Sequence, residues 1–114
     1  MRIVSELSST NPVPVDVVSG SSGGSLTDRS GSITTGGTAQ QLAAANSSRS
    51  YFILQNISTG DLWFNFGVAA VADQPSFKLA AGQSFAMEGS FISTQLISII
   101  GATTGQKFVA KEAS

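Results

Sequence analysis

The chain has no cysteine and no histidine in its 114 residues. The first absence removes disulfides and thiolate metal sites together. The second removes the side chain whose proton moves most readily near neutral pH. Charge is scarce as well. Asp, Glu, Lys and Arg make up 11% of the residues, against about 25% in ordinary soluble domains. The six basic residues stand singly and the net charge is −1. With no basic patch to neutralise phosphates, nucleic acid is not expected as a partner. No run nears the roughly 18 apolar residues of a spanning helix, so no membrane is expected either. Met1-Arg2-Ile3-Val4 leads into Ser5-Glu6 rather than an apolar signal core. The expectation is a chain made and used without classical secretion.

In place of charge stand 19 Ser, 9 Thr and 12 Gly, beside a 41% hydrophobic content. Such a surface carries few ions to desolvate, which suits burial against other protein. The chain divides by composition. Residues 1–27 read as an extended N-terminal arm and Gly/Ser linker. Asn11-Pro12-Val13-Pro14-Val15 is extended because each proline fixes its own φ and restricts the residue before it. Val15-Asp16-Val17-Val18 reads as an edge strand, and Ser19 to Ser25 has linker composition. Ile3, Val4, Leu7, Val13, Val15, Val17 and Val18 are the candidate partner-binding residues of the arm, since purely solvating tails carry few β-branched side chains.

Residues 28–114 read as an all-β domain, an antiparallel β-sandwich of about eight short strands, jelly-roll-like. The expected strands are Ser30–Thr35, Thr38–Leu42, Ser50–Ile57, Asp61–Phe66, Ser76–Leu79, Gln83–Glu88, Gln95–Ile100 and Gln106–Lys111. A single helical turn is expected at Ala43–Asn46. Tyr51 to Leu54 is apolar on both faces and is expected in a central strand. Asp61 to Phe66 alternates, with Leu62, Phe64 and Phe66 on one face and Trp63 on the other. Ser50–Ile57 and Asp61–Phe66 are expected to form a hairpin across Ser58-Thr59-Gly60. Leu54, Leu62, Phe64, Phe77 and Ile99 are the expected core.

Catalytic patterns are weak. The seven carboxylates are scattered, with none beside another. No G-x-S-x-G elbow supports a nucleophilic serine, and no D-x-[DN]-x-[DN] spacing supports calcium. The reading is of a protein that is not an enzyme and takes no cofactor or metal. Trp63 is the remaining candidate. An outward tryptophan anchors a protein interface, stacks on a sugar ring, or is covered by the chain itself.

Several segments resemble small virion proteins of tailed bacteriophages. They are Asp28-Arg29-Ser30-Gly31-Ser32-Ile33-Thr34, Gly37-Thr38-Ala39-Gln40-Gln41-Leu42, Gln55-Asn56 before Gly60-Asp61-Leu62-Trp63, and Gly101-Ala102-Thr103-Thr104-Gly105-Gln106. Proteins of that kind occur as head decoration or cement proteins, head fibres and tail accessory parts. The resemblance implies a virion structural protein, made in the host bacterial cytoplasm. The expected role is a decoration protein that binds the assembled capsid and bridges its subunits. The expected partners are the major capsid protein or other virion proteins, and further copies of itself in a homo-oligomer, a trimer among the candidates. The alternative is a tail or fibre module that binds host-surface carbohydrate through Trp63.

Overall fold

The computed structural model describes residues 25–114. It is all β among the described residues: β1 Thr27–Asp28, β2 Gly31–Ser32, β3 Gln40–Ala43, β4 Tyr51–Asn56, β5 Leu62–Phe66, β6 Phe77–Leu79, β7 Ser84–Met87, β8 Ile97–Gly101 and β9 Lys107–Ala113. Two antiparallel sheets pack face to face. One has the order β1–β9–β4–β7, with β2 also pairing β9, and the other has the order β3–β8–β5–β6. If β1 and β2 are taken as one interrupted strand, this is the eight-strand order of a jelly roll. The sandwich expected from the sequence is the fold observed.

Alternation explains which residues face inward. Phe52 and Leu54 of β4, Leu62 and Phe64 of β5, Ile97 and Ile99 of β8, and Phe108 and Ala110 of β9 form the shared core. Each large apolar side chain removed from water in this way contributes roughly 1.5–3 kcal/mol before ordering costs. β4 is central, between β9 and β7, as its two apolar faces suggest. β8 is buried along its whole length. The loop after β5 lies over its outer face, where the Ala70 N–H donates to Ser98 Oγ at 2.9 Å.

Four expectations need correction. β4 and β5 are not a hairpin, because they lie in opposite sheets. The cause is Asn56, which is fully buried. Its Nδ2 donates to the carbonyls of Gly60 at 2.7 Å and Leu79 at 2.8 Å, and its Oδ1 accepts from the Ser58 N–H at 2.9 Å. These bonds carry the chain from one sheet to the other, so that β5 begins in the opposite wall of the core. Ala43–Asn46 is not a helical turn. β3 runs through Ala43, and Asn46 Oδ1 accepts from the Ser48 N–H at 3.0 Å, the local bond by which Asn competes with helix. The Ser30–Thr35 strand is shorter than expected, Gly31–Ser32, with Ile33 still hydrogen-bonded to Gly105 and Gln106. Beyond it the Gln40 side chain takes over, with Oε1 accepting from the Thr34 N–H at 2.8 Å and Nε2 donating to the Ser32 carbonyl at 2.9 Å. Phe77 is not buried but 53% exposed. Its ring does face the interior, stacked on Phe64 at 5.5 Å between centroids, but β6 is the last strand of its sheet and nothing described lies beyond it.

One end of the sandwich holds a buried ion network. Glu112, on the inner face of β9, accepts from Arg49 Nε at 2.7 Å and from Arg29 Nε at 2.8 Å. Arg49 also donates to the carbonyls of Ser93, Gln95 and Ala44 at 2.8–2.9 Å. Burial pushes the Glu112 carboxyl up. Hydrogen bonds and charge from the two arginines outweigh it and hold the group below its ordinary value.

Candidate protein-docking groove

β6 and β7 are the outer strands of their two sheets, on the same side of the sandwich. The chain passes from one to the other through the tight corner Ala80–Gln83, where the Gln83 N–H donates to the Ala80 carbonyl at 2.9 Å. No further strand among the described residues closes this side. A groove therefore opens between the two edges. Toward the corner it is lined by Phe64, Phe77, Leu79 and Phe85, with a volume of about 450 Å³. Toward the far mouth it is lined by Phe66, Phe77, Phe85, Met87 and Phe91, with a volume of about 290 Å³.

The lining is an aromatic cluster. Phe64 and Phe85 are 4.9 Å apart between centroids, Phe77 and Phe85 are 6.3 Å apart and near parallel, and Phe66 stands edge-on to Phe64 at 6.0 Å. Phe91 at the mouth is 78% exposed. Exposed apolar surface that is contiguous, rather than scattered, marks a contact site. Lys78 is the one charged residue among the described residues that line the groove. It points to the outer face of its sheet, where its ammonium lies 3.4 Å from Asp61.

The groove's edges offer backbone as well as rings. The Gly67 N–H donates to the Leu96 carbonyl, which sets the phase of the β5–β8 ladder. Alternation then aims the backbone groups of Leu62 and Phe64 at their partners Leu79 and Phe77 in β6. The N–H and C=O of Lys78, between those partners, face outward. On the other side the Asn56 N–H donates to the Gln83 carbonyl, so Ser84 and Ala86 of β7 face outward by the same rule. Unpaired strand edges are templates for a further strand.

Among the described residues no group of three or more His, Cys, Asp or Glu comes together to hold a metal. Trp63 sits on the outer face of β5, half-buried, between Lys78 of β6 and Ile100 of β8. It is on the opposite side of the sheet from the aromatic groove. Ile3, Val4, Leu7, Val13, Val15, Val17 and Val18 lie outside the described residues. The sequence reading missed the groove. It placed Phe77 in the closed core, and the spacing of Phe64, Phe66, Phe77 and Phe85 gives no sign that two sheet edges end beside one another. No family model, no curated protein and no solved structure matches the chain.

Proposed function

We propose that this chain is a structural protein of a tailed-phage particle, a head decoration protein that docks on the assembled capsid and bridges neighbouring subunits. The observation that carries the reading is the groove between β6 and β7, with exposed Phe77 and Phe91, two open strand edges and almost no charge. A surface of that kind fits a permanent protein contact better than a solvated one. Open strand edges beside exposed phenylalanines suit the addition of a strand from a partner. A ligand that binds only the assembled shell stabilises it by mass action. The resemblance of residues 28–112 to small virion proteins points to the same class of job. The partners are the major capsid protein and other copies of this chain.

The test is co-sedimentation of the purified protein with shells that lack it, across a salt series. Docking should survive roughly 0.5 M salt with modest weakening, because apolar burial and main-chain hydrogen bonds are little screened where the Debye length is only a few ångströms. No binding to shells, with binding to host-surface polysaccharide instead, would overturn the reading in favour of a tail module.

A further inference from the structure

We infer that a second copy of this chain pairs with β7, the two β7 strands running antiparallel across a two-fold axis at Phe85 and joining two β1–β9–β4–β7 sheets into one. This deepens the docking reading, and rests on it for taking the β6–β7 side as a contact surface. It names what occupies one of that side's two edges.

The outer strands are not alike. Proteins blunt open edges with short strands, charge, proline or a bulge. β1 and β2 are two residues each, and β1 carries Asp28, 3.6 Å from the Lys111 ammonium. The β3 ladder shifts register between Gln41 and Ala43. β6 is three residues long with Lys78 at its middle. β7, which reads Ser84-Phe85-Ala86-Met87, has no charge and no proline. It pairs with β4 in unbroken register along its length. Its outward backbone groups belong to Ser84 and Ala86, both exposed and neutral.

This edge is complementary to itself. Set Phe85 opposite Phe85 of the second copy, and Ser84 stands opposite Ala86 and Ala86 opposite Ser84. Each of these two pairs exchanges two backbone hydrogen bonds, four in all. Centring the axis on Ser84 sets Ala86 against Gly82, whose N–H already donates to the Asn56 carbonyl at 2.8 Å. Centring it on Ala86 sets Ser84 against Glu88, past the end of the strand. Only the Phe85 register uses every outward group of β7. The axis stands perpendicular to the sheet, so both Phe85 rings stay on the inner face. Phe85 is half-buried there in the aromatic cluster, 4.9 Å from Phe64 between centroids. In a pair without hydrogen bonds the two Cα atoms come within about 4.5 Å, and facing aromatic residues stabilise such a pair. β6 is a poor candidate for the same contact. Its one outward residue is Lys78, and pairing it with itself sets Lys against Lys. That edge stays available to the shell.

The experiment is sedimentation of the full chain without shells over a concentration series, with amide hydrogen exchange by NMR on the same samples. A monomer–dimer equilibrium should appear, with a dissociation constant between roughly 1 μM and 1 mM, as for small interfaces. Protection of the Ser84 and Ala86 amides should grow with concentration, and that of Lys78 should not. Ser84→Lys/Ala86→Lys changes two exposed side chains and sets lysines opposite one another. It should weaken the dimer about tenfold or more. Mixing it with Ser84→Glu/Ala86→Glu should restore association. A monomer at every concentration overturns the inference. So does a dimer that the lysine variant leaves intact, or protection that grows at Lys78 instead. Failure here leaves shell docking untouched, since no shell is present. Failure of shell docking leaves the dimer in solution untouched.

Discussion

The two long sides of the sandwich are finished in opposite ways. On the β1/β2–β3 side the chain sews itself shut. Ile33 is buried there, its N–H donating to the Gln106 carbonyl and its own carbonyl accepting from Gly105. Gln40 bridges Ser32 and Thr34. The Gly36 N–H donates to Thr104 Oγ1 and the Gly37 N–H to the Gly101 carbonyl. The backbone passes so close that a Cβ on Gly36 would collide with the Ala102 carbonyl. On the β6–β7 side there is no such seam. Inward rings are left uncovered at the edge, Phe77 at 53% exposed, and Lys78, Ser84 and Ala86 offer backbone groups that no described strand takes up. A fold that closes one side so fully has the means to close the other.

The contrast predicts unequal mutational costs. The largest belong to the closed end and the centre. Glu112→Gln leaves Arg49 buried without its counter-charge and should destabilise by about 3–5 kcal/mol in chemical denaturation. Phe64→Ala, at the floor of the groove but 1% exposed, should cost about 3–5 kcal/mol through lost transfer energy and the cavity left behind. A near-neutral result for either would mean that the ion network or the core face is misassigned.

Acid should act through the same network. Glu112 has a lower pKa folded than unfolded, so its contribution is full above the unfolded value of about 4.3 and is lost as pH falls through the folded value. Stability of the wild type should drop across that window, and the drop should be smaller in Glu112→Gln. An equal drop in both proteins would assign acid sensitivity to other carboxylates.

The smallest stability effect belongs to the open side. Phe77→Ser should cost less than about 1 kcal/mol, as substitutions at exposed positions do. A loss as large as that for Phe64 would mean that the groove is core in the intact chain.

Much of this architecture was legible in the sequence, but unevenly. Period-two alternation marks Leu62 and Phe64 as inward whatever they pair with, and the doubly apolar Tyr51–Leu54 run marks a central strand. Pairing was not legible. In this topology, among neighbouring elements, only β5 and β6 follow one another within a sheet, so adjacency in sequence points to the wrong partner nearly everywhere. The β4–β5 connection crosses the core because of one buried Asn56, whose contact with Leu79 spans 23 positions. The Arg49–Glu112 pair joins residues 63 positions apart, beyond any local pattern. The groove was hidden for a related reason. An inward phenylalanine on an edge strand has the same sequence signature as one on a central strand, and only the sheet order tells them apart.

The central claim is that the open side is the docking surface. Phe77→Asp tests it most directly, because it places a charge in the groove at a residue that is already half in solvent. Its folding should be confirmed by an unfolding transition close to that of the wild type. Wild-type protein should then co-sediment with shells that lack it, and Phe77→Asp should stay in the supernatant. Equal co-sedimentation of the two proteins would contradict the account and move the contact elsewhere on the molecule.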